Sequence, residues 1–275
     1  MSLPQQTLDD LLYLMQRLRD PAHGCPWDLD QSFETIVPHT LEEAYEVADA
    51  IEQGDFGQLA EELGDLLFQV VYYAQLGDEA GHFDWHGVVD GITRKLIRRH
   101  PHVFPDGKLR TPPGSIKLDA DQIKHRWEEI KAEERAAKAA VPQQLSLLDD
   151  IPHVLPALSR AQKLQKRASR AGFDWSETAP VFDKVQEELD ELREAVSEGD
   201  QRAVAEETGD LLFAMVNLAR HVKVDAEAAL RVGNGKFERR FRYIEQRLAA
   251  SGARVEQTDL EQLDRLWDEA KAQGL

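Results

Sequence analysis

Apolar residues recur at helical spacing along almost the whole chain. They return every three or four positions, which places them on one face of a helix, and no stretch alternates convincingly with the period of two that a half-buried strand shows. The pattern therefore predicts an all-α protein, with helices at residues 7–19, 40–53, 57–77, 84–100 and 119–138 in the first half and at 156–171, 178–198, 201–222, 224–250 and 259–272 in the second.

Two copies of one pattern make up the sequence. Glu188 follows Glu43 by 145 positions. The same offset relates three further pairs of acidic residues, Glu46 with Glu191, Glu62 with Glu207 and Asp65 with Asp210. A gap-free register across two helices and the turn between them indicates an internal duplication. A basic segment and a tryptophan segment also recur late in each copy, and they match Lys95, Arg98, Arg99 and Trp127 with Lys236, Arg239, Arg240 and Trp267.

Segments that contain Pro and Gly mark the boundaries within this repeat. The stretch from His100 to Gly114 interrupts the first copy and predicts a long loop. The composition changes again between the copies, where Val141-Pro-Gln-Gln and Ile151-Pro occur. We therefore predict an N-terminal helical domain at residues 1–140, a linker at 141–155 and a C-terminal helical domain at 156–275.

Carboxylates flank the apolar stripe of two successive helices in each copy. If successive residues turn by about 100°, Glu188 and Glu191 lie at about −60° and about −120° from the apolar residue Val185. Glu207 and Asp210 hold the same angles relative to the apolar stripe of the next helix. Two antiparallel helices packed through these stripes would bring all four carboxylates to one side of the seam.

Four carboxylates in one place repel one another unless a cation lies between them. A single Glu-x-x-Glu pattern is usually solvated helix surface, but its duplication on paired helices favours a metal site. Oxygen ligands without His or Cys suit Mg²⁺ or Mn²⁺ better than zinc. The sequence therefore predicts one metal site at Glu188, Glu191, Glu207 and Asp210, and a second in the N-terminal copy at Glu43, Glu46, Glu62 and Asp65.

The composition of the chain excludes some binding partners and favours one type of cellular compartment. The 275 residues carry a formal net charge of −18, which argues against duplex DNA or an anionic membrane as a partner. Cys25 is the single cysteine, so an intrachain disulfide is excluded and a reducing compartment is favoured. The N-terminus lacks the pattern of a signal peptide, and no apolar run approaches the roughly 20 residues that span a bilayer. We expect a soluble cytoplasmic protein.

These motifs carry a resemblance to a known family. Glu-Glu-x-x-Glu followed by Glu-x-x-Asp on paired helices resembles the signature of the all-α nucleoside triphosphate pyrophosphohydrolase superfamily. The tandem arrangement is similar to the MazG family over the full chain, through Gly24-Cys-Pro-Trp-Asp, Glu62-Leu-Gly-Asp-Leu-Leu-Phe and Lys236-Phe-Glu-Arg-Arg-Phe. The resemblance implies two four-helix-bundle-like domains that form a homodimer. It also implies a Mg²⁺-dependent enzyme that converts nucleoside triphosphates to nucleoside monophosphates and pyrophosphate.

Basic and aromatic residues complete the predicted C-terminal site. Cationic side chains on a facing helix would neutralise the triphosphate, and an aromatic ring would stack on any base. We predict that the substrate is bound by Lys184, Asn234, Lys236, Arg239, Arg240 and Trp267, the last supported by the resemblance. In the expected metal-assisted hydrolysis, Glu188 and Glu207 are metal ligands. Glu187 or Glu206 is the general base or holds the metal ligands in orientation.

The two copies are not equivalent at the predicted site. His39 and Thr93 stand where the C-terminal copy has Lys184 and Asn234. This difference, with the family resemblance, favours the C-terminal domain as the principal catalytic one. Two alternatives stay open: a narrower enzyme acting on dUTP, dCTP or a phosphoribosyl nucleotide, and a non-enzymatic helical interaction module that a metal stabilises.

Overall fold

The computed structural model describes residues 5–110, 119, 122–123, 126–127, 129–130, 133–134 and 146–275. Helices and turns make up the described part of the chain, in which no strand occurs, so the all-α prediction is confirmed. The chain divides into two compact units, Met1–Lys138 and Ala139–Leu275. Each unit is described by itself below.

The helices of unit 1 up to Arg99 are described in full. They are α1 (Leu8–Leu18), α2 (Pro26–Leu29), α3 (Phe33–Gln53), α4 (Phe56–Glu79) and α5 (Trp85–Arg99). Helix α4 packs along α3 and also contacts α1 and α5. This packing buries an apolar core formed by Met15, Ile36, Val71, Tyr72 and Leu76.

Unit 2 has the same order of long helices as unit 1, without a counterpart of α2. Its elements are α6 (Ala157–Ser169), α7 (Ala179–Glu198), α8 (Gln201–His221), α9 (Ala226–Ala250), a 3₁₀ turn (Val255–Gln257) and α10 (Leu260–Ala272). Helices α7 and α8 pair along their length, α6 packs on α8, and α9 contacts α6, α8 and α10. The buried apolar side chains of this unit include Val181, Ala214, Val216, Ile244 and Leu248.

The turn between the two acidic helices has the same construction in both units. Helices α3 and α7 end at Gly54 and Gly199, which have left-handed φ angles of 72° and 76°. Glycine adopts this conformation without the steric cost that a Cβ adds. The next residues, Asp55 and Asp200, cap α4 and α8 by accepting hydrogen bonds from backbone N–H groups of the first turn. Each pair of helices is thereby closed into a tight hairpin.

Helix boundaries differ from the sequence prediction mainly at α3. The helix predicted at 40–53 begins at Phe33, because Ser32 Oγ accepts a hydrogen bond from Thr35 N and Thr35 Oγ1 accepts one from Ser32 N. Pro38 lies inside the helix, where it removes only one backbone hydrogen bond. The short helix α2 and the 3₁₀ turn were not predicted.

Several predicted segments lie partly outside the described residues. In the helix predicted at 119–138, the described positions 122–123, 126–127, 129–130 and 133–134 are helical. The loop predicted from His100 to Gly114 forms turns at 101–110, and residues 111–114 are not described. Residues 146–155 of the predicted linker form turns and bends, and residues 141–145 are not described. Within the described part of the chain, no helix has the length and apolar character to cross a membrane.

Candidate functional site

Three carboxylates meet between α7 and α8. Glu188, Glu207 and Asp210 offer oxygen atoms that all lie within 4.8 Å of one another. Glu188 is buried, Glu207 is half-buried and Asp210 is exposed, so the group extends from the interior to the surface. An all-oxygen set of this kind is the donor chemistry that Mg²⁺ and Mn²⁺ prefer. The three carboxylates between α7 and α8 are therefore suited to bind a divalent metal ion.

Glu191 lies beside these three carboxylates rather than within the group. Partial desolvation and the neighbouring charges of Glu188 and Glu207 raise the pKa of its carboxyl group. Its exposed position on α7, one turn after Glu188, leaves it at the outer side of the seam. The predicted four-residue metal set is therefore arranged as three clustered residues with one close neighbour.

Lys184 neutralises part of this negative charge. Its Nζ lies 2.7 Å from Glu188 Oε1 and 2.8 Å from Glu187 Oε1. Both acidic partners, Glu187 first, raise the pKa of the lysine above its ordinary value. Glu187 is exposed and held by this ion pair, whereas Glu206 is exposed and pairs with Arg202 at 3.2 Å. Neither Glu187 nor Glu206 belongs to the clustered carboxylates.

Unit 1 repeats the carboxylate group between α3 and α4. Glu43, Glu62 and Asp65 also place oxygen atoms within 4.8 Å of one another. Desolvation, together with the charges of Asp65 and Glu46, raises the pKa of Glu43, so Glu46 is the close neighbour here. His39 takes the position of Lys184, and its ring is 3.8 Å from Glu42 and lies edge-on to a tryptophan.

The basic residues predicted to bind phosphates lie on α9. Asn234, Lys236 and Arg239 are exposed on this helix. Arg240 is half-buried, donates a hydrogen bond to the carbonyl of the last residue at 2.7 Å and lies 5.3 Å above the ring of Trp267. Trp267 also contacts the ring of Phe237, at 5.4 Å between centroids. This tryptophan is therefore already packed against side chains of α9.

A cavity of about 390 Å³ opens beside the carboxylates of unit 2. Glu188, Asp210 and Lys184 form part of its wall, and the remaining described lining residues come from α6, α7, α8 and the segments before α6 and α7. Phe173 and Trp175, which precede α7, contribute aromatic rings. None of the described lining residues comes from α9 or α10.

An ion-pair network holds the Phe173–Trp175 segment against α8. Asp174 accepts hydrogen bonds from Arg220 at 2.5 and 2.9 Å and lies 2.9 Å from His221 Nε2. The guanidinium of Arg220, and then His221, lowers the pKa of Asp174 to about 2. Arg220 also donates to Asn217 Oδ1 at 3.0 Å. The aromatic wall of the cavity is thus tied to the helix that carries Glu207 and Asp210.

The corresponding place in unit 1 is filled. Tyr72, which lies 145 positions before Asn217, is 1% exposed and packs in the core with Met15. Its hydroxyl donates to Asp28 O at 2.9 Å, while the guanidinium of Arg19 lies 5.7 Å from its ring centroid. A buried tyrosine in one copy and a buried asparagine in the other therefore distinguish two units with similar carboxylate groups.

Sequence reasoning found the charged residues of this cavity, Lys184, Glu188 and Asp210, but missed its aromatic and amide residues. Trp175, Gln165 and Asn217 are not among the residues predicted to form the site. The duplication contained one usable indication, because the offset of 145 pairs Asn217 with Tyr72 at a position where the helix faces the interior. A small polar residue in one copy and a large aromatic residue at the equivalent position of the other predict that the two units differ in the volume of their interior.

The chain is similar to known proteins, and one family model matches it twice, once in each unit. A family model described as the MazG nucleotide pyrophosphohydrolase domain matches residues 31–104 and 179–244, which contain the acidic helices of both units. The chain is 53% identical over 272 residues to the nucleoside triphosphate pyrophosphohydrolase of Escherichia coli (strain K12), covering 98% of each chain. It is 41% identical over 263 residues to the nucleoside triphosphate pyrophosphohydrolase/pyrophosphatase MazG of Thermotoga maritima, covering 96% of this chain and 95% of that one. The chain therefore belongs to the MazG family.

Proposed function

We propose that this protein hydrolyses nucleoside triphosphates to nucleoside monophosphates and pyrophosphate, with its principal site in unit 2. Both relatives described above are named as nucleoside triphosphate pyrophosphohydrolases. The observation that carries the proposal is the position of Glu188, Glu207 and Asp210, which converge beside an open cavity. A triphosphate could approach these carboxylates while the rest of the nucleotide lies against the protein.

The proposed metal is Mg²⁺, with Mn²⁺ as a substitute, held by Glu188, Glu207 and Asp210 with Glu191 beside them. A bound divalent metal would neutralise the phosphate chain and lower the pKa of a coordinated water. The closeness of Glu188 to Glu207 and Asp210 supports its role as a ligand, because three neighbouring carboxylates carry more negative charge than one lysine neutralises. Lys184 supplies one positive charge to this carboxylate and can also donate to a phosphate oxygen.

Glu187 and Glu206 receive different roles in this proposal. Glu187 holds Lys184 through an ion pair of 2.8 Å, which supports an orienting role. Glu206 stays the candidate for accepting a proton from the attacking water. Glu206→Gln retains the size of the side chain and removes the basic oxygen. A strong loss of kcat with little change in KM would support this role, and an unchanged kcat would contradict it.

The phosphate chain is proposed to contact the exposed basic face of α9 as well. Lys236 and Arg239 are exposed there, and Asn234 lies less than one turn away. Arg240 is already engaged with the C-terminal carbonyl and Trp267, so its contribution is the weaker one. Lys236→Met and Arg240→Met proteins, measured separately, test whether the lysine contributes more to phosphate binding than the arginine. The lysine variant should show the larger rise in KM.

Unit 2 is proposed as the principal site because unit 1 lacks two of its features. His39 replaces Lys184, and Tyr72 occupies the interior where unit 2 has its cavity. Glu207→Ala and Glu62→Ala proteins, assayed separately for pyrophosphate release, distinguish the two units. Loss of activity in the Glu207 variant alone is expected. Loss in the Glu62 variant alone would reverse the assignment.

Product analysis after incubation with nucleoside triphosphates and Mg²⁺ tests the reaction itself. Nucleoside monophosphate with pyrophosphate is the expected product pair, whereas nucleoside diphosphate with phosphate would refute the proposal. Rates across the eight common ribo- and deoxyribonucleoside triphosphates distinguish the broad substrate range that we propose from a narrow one. Thermal stabilisation by Mg²⁺ without any product would favour a non-enzymatic helical module.

A homodimer is proposed from the exposed faces of the acidic helices. Contiguous exposed apolar side chains on a folded protein mark interaction surfaces. Helices α3, α4, α7 and α8 expose large apolar residues, among them Leu41, Tyr45, Leu67, Val70, Phe182, Val196, Leu212 and Met215. Light scattering should give the mass of a dimer for the unmodified chain and of a monomer for Leu212→Glu. Val154→Glu, on an exposed apolar residue outside these helices, is the matched control.

A further inference from the structure

Helix α9 of unit 2 is longer than its counterpart in unit 1. The repeat pairs Arg99 with Arg240, and α5 ends at Arg99, whereas α9 continues from Phe241 to Ala250. We call these residues, 241–250, the α9 extension. The extension contributes contacts to α10 that a helix ending at the position of Arg240 would lack.

A network of polar contacts joins the α9 extension to α10. The hydroxyl of Tyr243 donates a hydrogen bond to Glu269 Oε1 at 2.7 Å and accepts one from Gln273 Nε2 at 2.6 Å. Arg247 lies 3.4 Å from the same oxygen of Glu269, and its guanidinium is 6.0 Å from the centroid of the Tyr243 ring. Partial desolvation, and then the hydrogen bond to Glu269, raises the pKa of the Tyr243 phenol. The hydroxyl therefore keeps the proton that it donates to α10.

The same two helices bring together two of the predicted substrate residues. Arg240 lies about one turn before Tyr243 on α9, and Trp267 lies just before Glu269 on α10. The guanidinium of Arg240 is 5.3 Å from the ring centroid of Trp267, and its Nε donates a hydrogen bond to the carbonyl of Leu275 at 2.7 Å. The position of α10 on α9 therefore sets where Arg240 and Trp267 lie relative to each other.

Unit 1 has different residues at the equivalent places. His102 takes the position of Tyr243 in the register of the basic segment, and it lies in a turn after α5, where its ring is 5.7 Å from that of His100. Glu129 takes the position of Glu269 in the register of the tryptophan segment, and it pairs with an arginine one turn earlier at 2.8 Å. The pair of a tyrosine with a glutamate is therefore specific to the unit in which we place the principal site.

We propose that Tyr243 and Glu269 are positioning residues of the substrate site, which hold α10 on α9 so that Arg240 and Trp267 keep their places for an incoming triphosphate. Tyr243 and Glu269 act through α10 and do not touch the substrate. The inference rests on the proposed function for the identity of the substrate.

The two attachments of α10 to α9 have different tasks. Arg240 can exchange the oxygen of Leu275 for a phosphate oxygen, because arginine binds phosphate through charge-assisted hydrogen bonds. Tyr243 meanwhile keeps α10 in place, which matters because a helix of 13 residues depends on packing for its stability. Side chains that are held before the substrate arrives lose less conformational entropy on binding. A docked α10 therefore favours substrate binding.

Hydrogen exchange measures the docking of α10 without turnover. Exchange of backbone amides, followed by mass spectrometry, reports the local opening of a helix. Tyr243→Phe keeps the ring and removes the hydroxyl, so amides of α10 should exchange faster while those of α7 and α8 stay unchanged. Glu269→Gln keeps an oxygen that can accept from Tyr243 and should preserve most of the protection. Glu238→Gln, which breaks an exposed ion pair with Arg242 on α9, is the matched control and should exchange like the unmodified chain. Unchanged exchange of α10 in Tyr243→Phe would overturn the proposal.

Steady-state kinetics test whether the docking of α10 serves the substrate. Tyr243→Phe and Glu269→Ala should each raise KM for nucleoside triphosphates by about three- to tenfold with little change in kcat, because the carboxylates of α7 and α8 are untouched. The double variant should resemble Glu269→Ala, since both side chains act through one contact. Glu269→Gln should keep KM within about twofold of the unmodified value, because the hydrogen bond is retained.

A purely structural role would give a different kinetic result. It would lower the fraction of active protein, so that kcat falls while KM stays unchanged. That result, or faster exchange of α10 with unchanged KM, would overturn the proposal. Circular dichroism checks the folding of Glu269→Ala, and Tyr243→Phe with Glu269→Gln decides the question if the alanine variant does not fold.

Binding of α,β-methylene ATP, whose α–β bridge is not hydrolysed, separates this proposal from the proposed function. Calorimetric titration in the presence of Mg²⁺ gives its Kd without turnover, and Tyr243→Phe should raise that Kd by about three- to tenfold. This rise, in a protein that releases no pyrophosphate from any triphosphate, would support the positioning role and refute the reaction. Pyrophosphate release by Tyr243→Phe with unchanged KM and unchanged Kd would support the reaction and refute the positioning role.

Discussion

Asp174 joins the aromatic wall of the cavity to α8 through Arg220 and His221. Its carboxylate is 24% exposed, and its pKa is lowered from 3.8 to about 2, chiefly by Arg220. Charge-assisted hydrogen bonds with two parallel contacts are the stronger kind of ion pair. Asp174 therefore ties the segment that contains Trp175 to α8.

Acid should weaken unit 2 through this residue. Above about pH 4 the Asp174 carboxylate is charged in both the folded and the unfolded chain, so its stabilisation is fully present. As the pH falls from about 4 to about 2, the unfolded chain takes up a proton first and about 2 kcal/mol of stability is lost. Urea unfolding at several pH values should show this loss in the unmodified protein but not in Asp174→Asn. Asp183→Asn, on an exposed residue of α7, is the control and should keep it.

The carboxylates were predictable from sequence, whereas the cavity was not. Glu188, Glu207 and Asp210 are spaced by the helical period, and the duplication made the pattern recognisable without any tertiary information. Lys184 followed from the same spacing, since it lies one turn before Glu188. Gln165 comes from a helix distant in sequence, and its contact with Phe213 depends on how α6 packs on α8. Periodicity does not contain that information.

At the level of elements, the turn between the acidic helices sets the register of the carboxylate groups. In both units a glycine ends the first helix and an aspartate caps the second one residue later. A change of length here would rotate Glu207 and Asp210 away from Glu188 by about 100° per residue. The sequence predicted this break correctly, because its Gly-Asp pair combines the preferred C-terminal and N-terminal capping residues.

Two glycines of unit 1 should respond in opposite ways to alanine. Gly54 has a φ of +72°, so Gly54→Ala places a Cβ in the left-handed region and should cost about 1–2 kcal/mol. Gly91 lies inside α5 with open space around its Cβ position, so Gly91→Ala should stabilise the unit by about 0.5–1 kcal/mol. Thermal unfolding of both variants measures the difference. Equal shifts in the same direction would contradict the backbone argument.

Prediction of the elements failed where local side-chain contacts overrode the apolar pattern. Helix α3 extends seven residues further towards the N-terminus than predicted, because the Ser32–Thr35 capping box starts it before Pro38. In a sequence pattern, a proline predicts the end of a helix. A helix that has already begun before the proline nevertheless tolerates one missing backbone hydrogen bond. The four-residue helix α2 is too short to show a period at all.

For the whole molecule, the duplication repeats the carboxylate group but not its surroundings. Both units gather three carboxylates within 4.8 Å, but only unit 2 combines them with a lysine partner and an open cavity among the described residues. If the proposed metal sites and the proposed nucleotide site exist, substitutions in unit 1 should affect metal binding alone, whereas substitutions in unit 2 should affect both.

Counting metals tests this separation. Mn²⁺ titration followed by electron paramagnetic resonance should show two classes of site per chain in the absence of nucleotide, one for each carboxylate group. Glu62→Ala should remove one class and leave pyrophosphate release nearly intact, whereas Glu207→Ala should remove the other and abolish it. Lys184→Met, which takes a positive charge from Glu188, should increase Mn²⁺ affinity in unit 2 while it lowers kcat. A single class of site that only Glu207→Ala removes would show that the unit 1 carboxylates bind no metal, and that their clustering reflects helix packing alone.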